Sequence, residues 1–390
     1  MNKKSLKAAS LAFVVQLGFV SLFEDIATTG ARSIIGPYFA VLGANAIIVG
    51  VVTGIGQCVG YGLRVLSGYF VDRYKTYWPF IFVGYFINLI AVPILAIAGY
   101  WQVAAIFVIV ERLGKAIRTS PRDTLLSYAT QHIGRGKGFG IHKMLDQMGA
   151  MLGPVTISVV LFLHGNFRTS FLFLFIPAAI GLFLLFHVKA QYQHPRELEV
   201  TMEETDAEIP RAFWFYFLGA SLVALGYSDF PLIGFHFEQA GVMPLEWIPI
   251  VYALALGVSS VTSLYLGYLF DHNGSYVLVT LVVISALFAP FVFLGHALLS
   301  VIGMVLWGVG SGAQLSLLRA IIARIIPADK RAYAYGLFNG GYGLVWFVGS
   351  SLMGVLYNFS LVYLVVFSVC AQLCAVPVFL IAKKVVEEKA

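Results

Sequence analysis

Gly68-Tyr69-Phe70-Val71-Asp72-Arg73-Tyr74-Lys75 sets a small residue, an acid and two bases where one long apolar segment stops, and another apolar segment opens almost at once at Trp78-Pro79. A weaker copy, Gly267-Tyr268-Leu269-Phe270-Asp271-His272-Asn273-Gly274, stands about 200 residues later, again between apolar segments. A charged turn that recurs half a chain on, flanked by apolar runs both times, predicts two related halves built from membrane helices.

The rest of the chain fits that frame. Of its 390 residues, 59% are hydrophobic and 11% charged, against about 25% charged in soluble domains. The mean hydropathy is +0.87, too apolar for a water-soluble globule. The 39 glycines and 15% aromatic residues suit close helix packing in lipid. A net charge of +6 does not indicate a nucleic-acid partner, because the bases lie in short turns rather than on a soluble module. Cys58, Cys370 and Cys374 fall inside apolar runs with no zinc or disulfide spacing, so neither a metal site nor a cofactor is expected. Met1-Asn2-Lys3-Lys4 leads into an apolar run too long for a signal peptide and without a small-residue cleavage site. That run reads as a first membrane helix.

A crossing needs about 20 apolar residues. On that rule the first half holds spans at 8–30 (with an irregular continuation to 40), 46–70, 79–98, 102–119, 143–163 and 170–188. The second holds spans at 212–235, 247–270, 276–294, 298–320, 332–356 and 361–382. Between them, 189–211 carries Glu197, Glu199, Glu203, Glu204, Asp206 and Glu208 and reads as a linker. The expected fold is an all-α membrane protein of twelve transmembrane helices in two pseudo-symmetric six-helix bundles, 1–188 and 212–390. Lys3, Lys4, Lys7, Arg73, Lys75, Arg122, Arg135, Lys137, Lys330, Arg331, Lys383 and Lys384 collect on one side, against Arg168 on the other. The positive-inside rule then places both termini and the linker in the cytoplasm of a multi-pass cell-membrane protein. Ser120-Pro121-Arg122-Asp123 has the residues of a helix start, so span four is expected to end there and a short helix to follow through Ala129.

The halves echo each other further. Arg135-Gly136-Lys137-Gly138-Phe139-Gly140 precedes span five and Arg331-Ala332-Tyr333-Ala334-Tyr335-Gly336 precedes span eleven. Gly153 and Gly349 keep one offset from those arginines, and Asp25 of span one matches Asp229 of span seven.

With these residues in view, the sequence resembles the major facilitator superfamily over its whole length. Gly68 to Arg73 is similar to that family's loop between spans two and three, with Tyr74 where a second glycine is usual and His272 replacing the arginine in the copy. Gly149-Ala150-Met151-Leu152-Gly153-Pro154 resembles the motif of exporting, antiporter branches, although Val155-Thr156-Ile157 follows in place of paired glycines. The run from Glu111 to Asp123 departs from the usual fourth-span pattern and resembles a poorly characterised prokaryotic subgroup. The resemblance implies a monomeric secondary transporter in the lipid bilayer that moves a small-molecule solute by alternating access. It also implies a cytoplasmic gating latch at Gly68, Asp72, Arg73, Asp123, Gly267 and Asp271, for which Asp72 on the N-terminus of span eleven and Arg73 on Asp123 are the expected contacts.

Charges inside the spans are the remaining signal, each costing about 2.5–3.5 kcal/mol on insertion scales. Span one carries Glu24, Asp25 and Arg32, span four Glu111, Arg112, Lys115, Arg118 and Arg122, span five His142, Lys143 and Asp146, and span seven Asp229. Glu111, Lys115, Arg118 and Arg122 share one helix face, as do His142, Asp146, Gly149 and Gly153. The functional reading is a proton pathway in which Asp25 or Asp146 takes up and releases the coupling proton while Arg112 changes partners or holds an anionic group, with His142 titrating in the right range. The plain alternative is that the charges pair internally and hold helices together, Arg64, Lys143 and Arg319 merely snorkelling. No Walker motif or nucleophile–base pairing is present, so neither ATP drive nor an enzyme is expected. The competing functions are metal-ion or metal-chelate efflux through Asp25, His142 and Asp146, and a receptor or scaffold without transport.

Overall fold

A computed structural model describes residues 3–74, 76–130, 133–192, 209–273, 275–326 and 331–387; most of the expected linker lies outside them. Among the described residues every regular element is helical. In chain order these are α1 (Lys3–Val41), α2 (Ala46–Tyr74), α3 (Trp78–Ile94, extended by a 3-10 turn at Leu95–Ile97), α4 (Trp101–Thr130), α5 (Arg135–His164), α6 (Phe167–Phe173) and α7 (Phe175–Gln191). They continue with α8 (Arg211–Gly226), α9 (Phe230–Gln239), α10 (Trp247–Asn273), α11 (Ser275–Ala286), α12 (Phe288–Leu294), α13 (Ala297–Ile325), α14 (Arg331–Phe359) and α15 (Leu361–Glu387).

Ten spans among the described residues are long and apolar enough to cross a membrane. Two expected spans fall outside that set: α4 carries too many charges, and for α11 and α12 the apolar stretch among the described residues is Val279–Leu294. The outward faces match a lipid environment. Leu163 is 73% exposed, Phe183 71% and Leu264 81%, a degree of apolar exposure that water would penalise.

Prolines decide where helices continue, and three expectations need correction. Span one has no irregular end, because α1 runs unbroken to Val41 with Pro37 inside it. Span four does not stop at Ser120, because α4 carries Pro121 within a single helix. Pro121 lacks the N–H that would serve the Ile117 carbonyl one turn back, and Ser67 of α2 donates its hydroxyl to that carbonyl at 3.0 Å instead. Ser120, expected as a cap, donates to the Arg64 carbonyl at 2.8 Å. Ser67→Ala is therefore expected to lower stability by about 1–2 kcal/mol, because it strands a part-buried acceptor, and a denaturation midpoint in detergent measures it. Span seven is the opposite case. It is broken between α8 and α9 at Tyr227-Ser228-Asp229, where Asp229 accepts the Phe230 N–H at 3.2 Å and Pro231 sits in the first turn of α9. Pro177 and Pro290 similarly free the carbonyls of Phe173 and Ala286, the residues at which α6 and α11 end.

The chain divides into two compact units. Unit 1 comprises Met1–Ile34 and Leu63–Thr201, and unit 2 comprises Ile35–Gly62 and Met202–Ala390. The core of unit 1 joins Phe13, Leu17 and Val20 of α1 to Ile81, Tyr85 and Leu89 of α3, Leu125 and Leu126 of α4, and Leu185 of α7. Unit 2 contains the hairpin 35–62, packed by glycine. Gly50 lies against the Ser350 backbone, and a Cβ on Gly354 would stand 2.5 Å from the Ala46 carbonyl oxygen.

Candidate functional site

Two glycine seams in unit 1 bring charged helices into contact. Between α3 and α4, a Cβ on Gly84 would stand 2.6 Å from Arg118 Cβ, and one on Gly114 would stand 2.5 Å from the Asn88 nitrogen. Only hydrogen fits there, so the two backbones touch and Arg118 is driven against α3. Its guanidinium lies over the Tyr85 ring at 4.2 Å, a cation–π contact. Between α1 and α5, Gly149 meets the Leu22 backbone, and a Cβ on Gly153 would stand 2.6 Å from the Ile26 oxygen and 2.7 Å from the Gly30 nitrogen. Leu22 lies about one turn before Asp25 and Gly149 about one turn after Asp146. Asp25 and Asp146 thus lie on either side of the seam, close enough for each to act on the other's charge.

The charges gather around those seams. Glu24, fully buried on α1, takes Arg118 at 2.5 Å and the Thr28 hydroxyl at 3.2 Å. Arg118 is itself fully enclosed. Lys115 donates to Asp25 at 3.2 Å and lies 3.5 Å from Glu24. Lys143 holds Asp146 at 2.5 Å. Arg122 pairs with Asp123 at 2.8 Å and donates to Ser21 at 3.3 Å, and Ser21 meets His142 Nε2 at 3.1 Å. At the far end of the run, Glu111 pairs with Arg112 at 3.1 Å and accepts from Asn88 at 2.9 Å. Five acids and five bases are thereby matched one to one. Asp25 and Asp146, with Lys115 on the one and Lys143 on the other, thus form a group of two acids and two bases.

Of the other residues singled out from the sequence, Arg32 of α1 has a polar or electrostatic partner. Pro154 is buried within α5. Gly68 faces Ser120, which a Cβ would approach to 3.7 Å. Arg73 donates to Tyr69 of its own helix at 3.0 Å, while Asp123 takes Arg122. Asp72, Gly267 and Asp271 lie on helical backbone of α2 and α10, and their surroundings fall outside the described residues. Among the described residues no three His, Cys, Asp or Glu side chains are grouped to hold a metal ion, so Asp25, His142 and Asp146 do not form the ligand set that metal efflux would need.

Sequence reasoning did not pick out Tyr85, Asn88 or Ser21. The first two lie on α3, which carries no charge, and only a polar residue at helical spacing opposite Glu111 and Arg118 could have marked them.

The second half repeats the seam but not its chemistry. Gly349 meets the Leu225 backbone as Gly149 meets Leu22. The oxygens of Asp229, the match of Asp25, take the Phe230 N–H and the Gln57 amide, both at 3.2 Å. It caps a helix. The break beside it is closed by side chains, with Trp307 Nε1 donating to the Ser228 carbonyl at 2.9 Å, Tyr227 to the Trp307 carbonyl, and Ser368 to the Gly226 carbonyl at 2.6 Å.

A family model described as the Major Facilitator Superfamily matches residues 17–350. An uncharacterised protein of Mycobacterium tuberculosis is 38% identical over 371 residues, covering 93% of this chain and 91% of its own length. An uncharacterised MFS-type transporter of Methanocaldococcus jannaschii is 25% identical over 358 residues, 89% of each chain. Among solved structures, the peptide transporter POT in complex with sulfate superposes with a TM-score of 0.75 at 12% identity, over 100% of this chain and 98% of that one. At such identity that likeness shows the fold alone.

Proposed function

Since the chain belongs to the Major Facilitator Superfamily, we propose that it moves a small organic solute across the membrane by alternating access, with a proton on the Asp25–Asp146 pair as the coupling ion. The observation that carries this reading is the placement of two carboxyls beside the α1–α5 glycine seam, near enough to act on each other's charge, with Lys115 on the one and Lys143 on the other. With one proton shared, the pair bonds across the seam. Without it, two like charges about 4 Å apart repel by roughly 4 kcal/mol at an effective dielectric constant of about 20, offset by Lys115 and Lys143. Protonation thus biases a contact that the backbones of α1 and α5 make directly, which is how a proton shifts a two-state equilibrium.

The twelve-span, two-bundle arrangement and cytoplasmic termini belong to this reading, supported by the positive-inside pattern. So does export, on the likeness of Gly149 to Pro154 to the exporter motif. The latch at Asp72 and Arg73 is kept as a proposal of the same kind.

Proteoliposomes loaded with the pH dye pyranine test the coupling. Wild type is expected to move protons when challenged with pools of organic solutes, and Asp25→Asn and Asp146→Asn are each expected to reduce that flux at least about tenfold. Full solute-driven proton flux in both variants would remove the coupling site.

A further inference from the structure

Among the described residues, unit 2 sets the uncharged polar groups of Gln314, Tyr342 and Trp346 beside aromatic rings. Tyr342 of α14 donates its hydroxyl to Gln314 of α13 at 2.5 Å. Its ring stands edge-on to Tyr61 at 5.8 Å, stacks on Phe338 at 5.6 Å, and meets Trp346 one turn on at 5.6 Å. Trp346 is 9% exposed, and its buried indole N–H has no acceptor. A buried donor of that kind costs about 1–3 kcal/mol unless something accepts from it, so the orphan marks a position for an acceptor from outside the chain. Open space lies at Gly340 of α14 and at Gly60 and Gly62 on either side of Tyr61, where an added Cβ would meet no atom within 4 Å. A cleft lined by Val223, Leu281, Ser285, Ala313, Gln314 and Phe379 opens on the same glutamine. Asp229 of the same unit accepts from the α9 N-terminus and from Gln57.

We propose that Tyr61, Gln314, Tyr342 and Trp346 form a solute subsite within unit 2, and that the solute class is an uncharged molecule with a flat aromatic portion and a hydrogen-bond acceptor. Aromatic faces hold the ring by offset or edge contacts. Trp346 Nε1 donates to the acceptor, and the Gln314 amide, whose N–H bonds only weakly to its own helix at 3.4 Å, serves as a second polar handle. Desolvating an ion against neutral walls is costly, so a charged analogue is rejected. This inference rests on the transporter reading but places recognition and coupling in different units.

Equilibrium dialysis on the full-length protein in detergent tests it with three tritiated probes of one shape: naphthalene-2-carboxamide, naphthalene-2-carboxylate and 2-naphthylmethylammonium. The neutral amide is expected to bind at least about tenfold more tightly than either ion. Trp346→Phe, which keeps a ring and removes the donor, is expected to weaken it about fivefold to tenfold, and Gln314→Ala to weaken it similarly. Trp247→Phe, at an exposed position, leaves binding unchanged and controls for non-specific uptake; gel filtration confirms that each variant is folded. Equal or tighter binding of either ion, no binding of any probe, or amide binding indifferent to Trp346→Phe overturns the proposal. Pyranine-reported proton flux is read separately, so a failed dialysis leaves the coupling reading standing, and normal binding with no proton flux removes coupling alone.

Discussion

Arg118→Ala is expected to destabilise the detergent-purified protein by about 3–5 kcal/mol, read as a fall in the denaturation midpoint. The arginine has no exposed surface, lies over Tyr85 at 4.2 Å, and holds the equally buried Glu24 at 2.5 Å. Removing it leaves a carboxylate enclosed by α1, α3 and α4 with the Thr28 hydroxyl and, for its charge, the more exposed Lys115 at 3.5 Å. It also opens a void between helices that Gly84 and Gly114 hold in backbone contact. The loss belongs to the unpaired charge rather than to the pair, so Glu24→Gln combined with Arg118→Met is expected to recover more than half of it. A loss under about 1 kcal/mol for Arg118→Ala would show that the pair is open to water and does not anchor the helices.

Gly153→Val is expected to reduce solute-driven proton flux to background while the protein still reaches the membrane. The added Cβ would stand 2.6 Å from the Ile26 oxygen and 2.7 Å from the Gly30 nitrogen, and backbone atoms cannot rotate aside. α5 must move off α1, which pulls Asp146 away from Asp25. Overpacking of this sort costs about 1–3 kcal/mol in stability, but the functional loss is larger because the carboxyl pair depends on contact across that seam. Gly140→Ala in the same helix, where a Cβ would meet nothing within 4 Å, is the control. It is expected to be silent or to stabilise by up to about 1 kcal/mol through helix propensity. Normal flux in Gly153→Val would separate coupling from the seam.

What the sequence made legible follows from how membranes penalise charge. Glu24, Asp25, Lys115, Arg118 and Asp146 stand out because a span has few reasons to carry them, and their helical spacing shows which of them share a face. The glycines at 149 and 153 are legible as small residues, but their partners Leu22, Ile26 and Gly30 are not, because a seam is a property of two helices at once. Pro121 misled for the same reason. Read locally, Ser120-Pro121 starts a helix; in three dimensions Ser67, on another helix, satisfies the carbonyl that the proline leaves, and α4 continues. The break at Tyr227-Ser228-Asp229 was hidden because its support comes from Trp307, Ser368 and Gln57, far away in the chain. Asp25 and Asp229 look equivalent in the sequence, yet one faces a second acid and the other caps a helix.

The charge that identifies α4 also bears on how the protein is made. Glu111, Arg112, Lys115 and Arg118 lie within three turns of one helix, and at about 2.5–3.5 kcal/mol apiece they would cost roughly 10 kcal/mol if the segment met lipid alone. α3 just ahead of it has no charged residue and can partition unaided. The Gly84–Gly114 contact and the Asn88–Glu111 bond join the two into a hairpin. α4 is therefore expected to enter the membrane paired with α3 rather than alone, so the stretch 78–130 inserts as one unit.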